Sequence, residues 1–204
     1  MLSGKCGIVV LHMGDSSAGL SLVRDALIRT SIPMKTFHPT HVNRKRNLLE
    51  EAFDFTCQGG YIDLTCGITE AGRPSECIAE AKERGIPLDR ITISSDGMGS
   101  WSTYDKTGSL LQIGYASVDT VHQELRSLVR DYNFPLEEAL RFCTSNTAKS
   151  LELFPQKGCI SPDADADLLL LSEDLDIRAV IAGGKLLMEN GILLKTGTYE
   201  SPAL

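Results

Sequence analysis

Residues 91–100 read I-T-I-S-S-D-G-M-G-S, an apolar and β-branched run that ends in Asp96 and then breaks into glycines. Such a run predicts a short buried strand, and Gly97 and Gly99 predict its end. Asp96 is therefore expected at the carboxyl end of a strand, where open α/β sheets and α/β barrels place their reacting groups. The alternative is an aspartate that opens an ordinary turn after a strand.

Two apolar runs and one extended stretch, with Pro33 at its start, precede this strand, and a helical pattern follows each of them. The strands are predicted at residues 7–11, 32–40, 61–65 and 90–95. This alternation is typical of an α/β fold with a parallel sheet and helical crossovers. Four such units are too few to close an eight-stranded barrel, so the chain forms an open sheet or part of a larger barrel. The stretch around Trp101, after the fourth strand, is expected to be a polar loop.

The last part of the chain has a different pattern. Short apolar runs at residues 168–171, 176–182, 185–188 and 192–194 are separated by turn signals, of which Asn190-Gly191 is the strongest hairpin signal. We therefore predict two domains, an α/β domain at residues 1–155 and a small antiparallel β appendage at residues 156–204.

Composition narrows the choice of partners and compartment. A net charge of −7 over 204 residues argues against nucleic acid or an anionic membrane as a partner. The longest aliphatic run, residues 168–171, is too short to cross a bilayer, and the first residues lack the apolar core of a signal peptide. Six cysteines without a C-x-x-C spacing indicate buried thiols in a reducing compartment. We expect a cytoplasmic protein.

Three of the four predicted strands end in a side chain that can bind a metal ion: His12, His41 and Asp96. Imidazole and carboxylate are the ligands of zinc in hydrolytic sites, and neighbouring parallel strands would bring these ends together. Asp96 could also take a proton from water and pass it to a leaving amine. Taken singly, a histidine is more often a capping or core residue than a ligand. His38 and His122 are interpreted as structural.

Arg44 follows His41 by three residues and could hold a substrate carboxylate with two parallel hydrogen bonds. The alternative is an exposed charge in the first turn of a helix.

Three motifs together resemble the isoaspartyl dipeptidases (β-aspartyl peptidases) of the amidohydrolase superfamily. They are L-H-M-G-D-S at residues 11–16, P-T-H-V-N-R at residues 39–44 and S-S-D-G-M-G-S at residues 94–100. The intervals between them also fit, as do G-G-Y-I-D-L-T and the D-A-D-L-L-L entry into the β appendage. The resemblance extends over essentially the whole chain.

The resemblance implies a (β/α)8 barrel with a β-sandwich domain, two zinc ions and hydrolysis of dipeptides linked through the aspartate side chain. It implies that His12 and His41 hold one metal and that Asp96 binds the other and moves the proton. It further implies that Arg44 binds a substrate carboxylate and that Ser100 contacts the aspartyl end of the substrate.

The chain departs from this family in lacking two elements of its metal site. No H-x-H pair occurs, and no counterpart of the carboxylated lysine on the fourth barrel strand is present. The chain therefore resembles the C-terminal portion, strands five to eight and the end of the sandwich. We expect little or no activity from it alone, and association with the missing barrel half or with further copies of itself.

Two other functions remain open at this stage. One is another amidohydrolase, such as a cyclic amidase or a deaminase. Arg44 and Ser100 distinguish the two, because a carboxylate-rich dipeptide needs a cationic anchor and an uncharged ring does not. The other is a noncatalytic remnant that serves as a binding or assembly module.

Overall fold

The computed structural model describes residues 7–197. The chain divides into two compact units, Met1–Glu152 and Leu153–Leu204, and each is described by itself. Cys6 and the last seven residues of the predicted appendage lie outside the described residues. No helix between residues 7 and 197 combines the length and the apolar character needed to cross a membrane.

The first unit alternates strands and helices. Its strands are β1 (Val9–His12), β2 (Phe37–Thr40), β3 (Ile62–Thr65), β4 (Ile91–Ser94), β5 (Ser100–Tyr104) and β6 (Leu110–Tyr115). Its helices are α1 (Ser21–Arg29), α2 (Arg46–Cys57), α3 (Pro74–Glu83), α4 (Thr120–Arg130), α5 (Leu136–Leu140) and α6 (Ser145–Ser150). Short 3-10 turns occur at Met34–Thr36, Val42–Arg44 and Leu88–Arg90. The predicted mixed α/β class is confirmed.

The first four strands form two parallel pairs. β1 pairs with β2, with His12 opposite Thr40, and β3 pairs with β4, with Thr65 opposite Ser94. β2 also lies beside β3. Because neighbouring parallel strands end at the same edge, the carboxyl ends of all four strands lie along one rim.

Helix α2 contributes two of the largest side chains of the core. Its sequence places leucine, alanine and phenylalanine three or four residues apart, which gives the helix one apolar face. Phe53 and Phe55 are fully buried. Gly60 lies directly against the Phe55 ring: a Cβ added at that position would be only 2.1 Å from Phe55 Cε1. A side chain at Gly60 would therefore force the ring or the chain to move.

The prediction of a polar loop around Trp101 is wrong, because this stretch forms an antiparallel hairpin of β5 and β6. The Asp105 carboxylate accepts hydrogen bonds from the N–H groups of Thr107 and Ser109, at 2.8 and 2.9 Å, and so closes the turn. Nearly all side chains of both strands are exposed, so the alternation of apolar and polar residues that marks a half-buried strand is missing.

The second unit contains one antiparallel sheet in its described part. The strands are β7 (Leu168–Leu171), β8 (Ile177–Ala182), β9 (Lys185–Glu189) and β10 (Ile192–Leu193), in the order β10-β9-β8-β7. Asn190 and Gly191 connect the last two strands with φ values of 50° and 80°. Positive φ at both central residues is typical of the type I′ turn for which Asn-Gly is suited.

The described cysteines are free thiols, but they are not uniformly buried. Cys66 and Cys77 are buried, and burial raises the pKa of each thiol to about 12. Cys57 is exposed, contrary to a general expectation of buried thiols, while Cys143 and Cys159 are half-buried.

A network of ion pairs joins α2 and α3. Glu80 accepts a hydrogen bond from Arg46 and another from Arg84 Nη1, the second at 2.7 Å. Arg84 Nη2 donates a further hydrogen bond to Glu50, also at 2.7 Å. The hydrogen bond from Arg46 is the main reason that the pKa of Glu80 is lowered to about 2. The stabilisation is therefore present above the pKa of the unfolded chain, near 4.5, and is lost as pH falls toward 2.

Replacing Glu80 with glutamine should lower the free energy of unfolding at neutral pH by about 0.5–1 kcal/mol, because the network is partly exposed. The difference from the wild type should disappear between pH 4.5 and pH 2, as measured by urea unfolding at several pH values. Glu83→Gln, which removes the same charge from an exposed position of the same helix, is the control. An equal loss in both variants, or one that does not depend on pH, would contradict the network's role.

Candidate active site

Two histidines meet at the carboxyl ends of β1 and β2. His12 is the last residue of β1, and His41 directly follows β2. His12 Nδ1 and His41 Nε2 lie 2.9 Å apart, and the two rings are tilted by 52° with centroids 4.9 Å apart. The parallel register, which places His12 opposite Thr40, brings the two side chains to the same point of the rim.

His41 has an unusual backbone that its neighbours hold in place. Its φ of 62° lies in the left-handed region, which costs a non-glycine residue on the order of 1–3 kcal/mol. The His41 N–H donates to Thr65 Oγ1 at 3.2 Å, and His41 Nδ1 lies 2.9 Å from the same oxygen. The buried amide of Asn43 donates to the carbonyls of Thr65 and Ile68, at 3.0 Å each, and so fixes the turn that follows His41.

The surroundings of His41 favour the neutral imidazole. Burial is the largest cause that lowers the pKa of His41, and the charges of His12 and Arg44 lower it further. The carboxylate of Asp96 acts in the opposite direction and raises it. A neutral ring is the form that binds a metal ion.

Asp96 lies beyond the end of β4 and lines the same cavity as the two histidines. The cavity has a volume of about 300 Å³, and Asp63 and Ser94 also line it. Asp96 is exposed, with a φ of 51°. The chain folds back tightly after it, since a Cβ at Gly99 would lie 2.7 Å from the Asp96 carbonyl oxygen. The predicted trio of His12, His41 and Asp96 therefore faces one cavity.

The two residues predicted to bind substrate lie elsewhere. Arg44 is half-buried, and its Nε donates to the Met13 carbonyl at 3.2 Å, so it joins the turn after β2 to the loop after β1. Ser100 is exposed at the start of β5. Neither belongs to the described residues that line the cavity.

The sequence reasoning missed a buried polar cluster below the histidines. Its members are Thr40, Asp63, Thr65, Thr92 and Ser94. Their hydroxyl groups converge on the Asp63 carboxylate, and Asp63 is only 7% exposed. A signal existed, because polar residues recur on strands that are otherwise apolar and buried.

Comparison with known proteins identifies the family. Residues 28–187 match the model of the amidohydrolase family, a span that includes His41 and Asp96 but not His12. The chain belongs to the amidohydrolase family. The chain is also similar to solved structures of a β-aspartyl dipeptidase, which confirms the resemblance seen in its motifs.

The similar structures cover almost all of this amidohydrolase chain. The β-aspartyl dipeptidase from Fervidobacterium islandicum AW-1, in complex with β-Asp-Leu dipeptide, is 36% identical with a TM-score of 0.88. The match covers 98% of this chain and 52% of that one. A second structure of the Fervidobacterium enzyme is 35% identical, with a TM-score of 0.82 and coverage of 98% and 50%. The chain thus spans about half the length of the β-aspartyl dipeptidases that it matches.

A more distant solved structure shares only the fold. An adenosine deaminase from Xanthomonas campestris with bound zinc is 17% identical, with a TM-score of 0.56. The match covers 94% of this chain and 47% of the deaminase.

Amidohydrolases typically use metal ions, and the histidine pair fits two positions of such a site. Two nitrogens bound tetrahedrally to zinc at about 2.0–2.1 Å lie about 3.4 Å apart, so the rings need to separate by only about 0.5 Å. Between residues 7 and 197, however, no three His, Cys, Asp or Glu side chains form a group that could hold a metal ion. Among the described residues, His12 and His41 therefore fit two ligand positions of a metal ion, and its other ligands must come from elsewhere.

Proposed function

We propose that this amidohydrolase chain contributes to the active site of a metal-dependent hydrolase that cleaves the isopeptide bond of β-aspartyl dipeptides. The observation that carries the proposal is the His12–His41 pair, with ring nitrogens 2.9 Å apart beside Asp96 in one cavity. The likeness to the β-aspartyl dipeptidase that was solved with β-Asp-Leu supports the choice of substrate.

Each candidate residue has a role in this proposal. His12 and His41 hold zinc, which when bound supplies Lewis acidity and lowers the pKa of a water toward about 7. Asp96 is a ligand of the second metal ion of the complete site, takes a proton from the attacking water and donates it to the leaving amine. Arg44 binds a carboxylate of the dipeptide through its free guanidinium nitrogens, and Ser100 contacts the aspartyl end of the substrate.

We further propose that β1–β4 correspond to strands five to eight of a (β/α)8 barrel and residues 156–204 to part of a β-sandwich. The two parallel strand pairs and the adjacent β2 and β3 support this arrangement. The chain lacks an H-x-H pair and so carries an incomplete ligand set for two metals. We therefore propose little or no hydrolysis by this chain alone.

A partner that supplies the missing half would complete the site, and a second copy of the chain is the alternative partner. Among the described residues β1 pairs only with β2, and Val9 and Val10 are 45% and 49% exposed, which leaves a strand edge and apolar side chains for a partner. The net charge of −7 supports a small dipeptide rather than nucleic acid or membrane as ligand. The free thiols support a reducing compartment, and we propose the cytoplasm.

Zinc binding tests the proposal with this chain as it stands. We expect about one equivalent of zinc after equilibrium dialysis, and we expect the double variant His12→Ala/His41→Ala to lose it, because it lacks both nitrogen ligands. His122→Ala, on α4, is the control and should keep the zinc. No zinc in the wild type at any pH would instead indicate a noncatalytic module. Zinc retained by the double variant would show that residues other than His12 and His41 bind it, and would contradict the proposal.

A further inference from the structure

The buried carboxylate of Asp63 accepts hydrogen bonds from the two strands that flank its own strand, β2 and β4. Its Oδ2 accepts hydrogen bonds from Thr40 on β2 and from Ser94 on β4, both at 2.6 Å. Its Oδ1 accepts a hydrogen bond from Thr92 on β4 at 2.7 Å. A carboxylate buried in this way would be costly without partners, and here hydroxyl groups supply them.

Thr65 connects this carboxylate to His41. Its hydroxyl group has a single proton, and the acceptors on the inner side are Asp63 Oδ2 at 3.4 Å and Thr40 Oγ1 at 3.2 Å. The Thr40 proton is directed to Asp63 in the shorter contact of 2.6 Å. His41 Nδ1, at 2.9 Å, is the other group to which Thr65 could donate. The negative charge of Asp63 favours a Thr65 proton that points inward, with its lone pairs facing His41.

This direction determines which nitrogen of His41 carries the proton. The His41 N–H already donates to Thr65 Oγ1 at 3.2 Å, and Nδ1 lies 2.9 Å from the same oxygen. With the lone pairs of Thr65 facing the ring, Nδ1 must be the donor. In the neutral ring, Nε2 is then left with its lone pair pointing at His12.

We propose that Asp63 is a positioning residue that acts through Thr65 to set the tautomer of His41, with the proton on Nδ1 and the lone pair of Nε2 presented to the cavity. This inference rests on the proposed function for its purpose, since a metal ligand needs that lone pair and a fixed ring. The tautomer itself is a property of the protein without metal or substrate.

Thr92 provides a matched comparison for Thr65. Both are buried threonines whose hydroxyl groups contact Asp63. Thr92, however, contacts His38 Nε2 at 3.2 Å instead of His41. Valine has nearly the same volume as threonine but lacks the hydroxyl group, so either replacement removes one hydroxyl group from the cluster. The two variants therefore differ mainly in which histidine loses its partner.

Nitrogen-15 NMR of the imidazole rings, at a pH where His41 is neutral, tests the inference. We expect the wild type to show a protonated Nδ1 and an unprotonated Nε2 at His41. In Thr65→Val and in Asp63→Asn the ratio of the Nδ1–H to the Nε2–H form should fall about fivefold, the effect of one lost hydrogen bond. Thr92→Val should leave His41 unchanged.

Several results would overturn the inference: a wild-type His41 that is protonated on Nε2, equal changes in the two threonine variants, or an unchanged tautomer in Asp63→Asn. If Thr65→Val does not fold, the wild-type spectrum and Asp63→Asn decide the question. The NMR sample contains no zinc or dipeptide, so the two proposals fail separately. A protein that does not bind zinc can still show the expected tautomer, and a protein that binds zinc can show the other tautomer.

Discussion

Replacing Asp96 with asparagine should lower kcat for β-Asp-Leu by about 10²–10⁴-fold in any assembly of this chain that hydrolyses the dipeptide. The reason is that an amide cannot take the proton from water and return it to the leaving amine, and proton transfer of this kind contributes a factor of that size. Asparagine keeps the shape of the side chain, so binding should change much less than kcat. Steady-state kinetics that separate kcat from KM provide the measurement.

Asp89 provides the control for this variant. It lies in the 3-10 turn directly before β4, at the opposite end of the strand from Asp96, and is exposed. Asp89→Asn removes the same charge but should leave kcat unchanged. A loss of less than tenfold in Asp96→Asn, or equal losses in both variants, would show that Asp96 is not the group that moves the proton.

Replacing Phe53 with alanine should lower the free energy of unfolding by about 3–5 kcal/mol. Phe53 is fully buried on α2, and removal of a buried phenylalanine ring loses its transfer free energy and leaves a cavity. The guanidinium carbon of Arg84 also lies 5.1 Å from the centre of the ring, a contact that alanine cannot make. Urea unfolding followed by far-ultraviolet circular dichroism should report the loss, because all helices of the described residues belong to the first unit.

Asp54→Ala tests whether the loss comes from the buried face of the helix. Asp54 is the next residue on α2 but is exposed, and its replacement should change the free energy of unfolding by no more than about 0.5 kcal/mol. If the Phe53 variant does not fold, Phe53→Leu should still be destabilised, by about 1–1.5 kcal/mol. A Phe53→Ala variant as stable as the wild type would contradict the core described above.

The elements that face the core were those that the sequence predicted best. Three of the four strands at the rim, β1, β3 and β4, were recognisable because most of their residues are apolar or β-branched. β2, with the sequence F-H-P-T, was recognisable only as an extended stretch, and α2 because its apolar residues repeat at helical spacing. The β5–β6 hairpin was missed because it is exposed on both faces. Helix α6 was missed for a different reason: its sequence, S-N-T-A-K-S, carries no apolar periodicity, although Asn146, Ala148 and Ser150 are buried.

The site was predictable only in part. His12 and His41 could be brought together by reasoning, because the ends of neighbouring parallel strands meet at one rim. The left-handed backbone of His41 depends on contacts with Thr65, 24 residues further along the chain, and no local signal encodes it. The surroundings of Asp63 likewise depend on hydroxyl groups of other strands. The polar residues on otherwise apolar strands indicated a polar cluster, but not that Asp63 lies at its centre.

The coordination of zinc by the isolated chain decides whether His12 and His41 form a metal site. X-ray absorption spectroscopy of the chain with one equivalent of zinc should show two imidazole nitrogens at about 2.0–2.1 Å, with oxygen completing the shell. Both nitrogens should disappear from the spectrum of the His12→Ala/His41→Ala variant. A shell of thiolate sulfurs at about 2.3 Å, from the free cysteines, or a spectrum that the double variant leaves unchanged, would contradict the account.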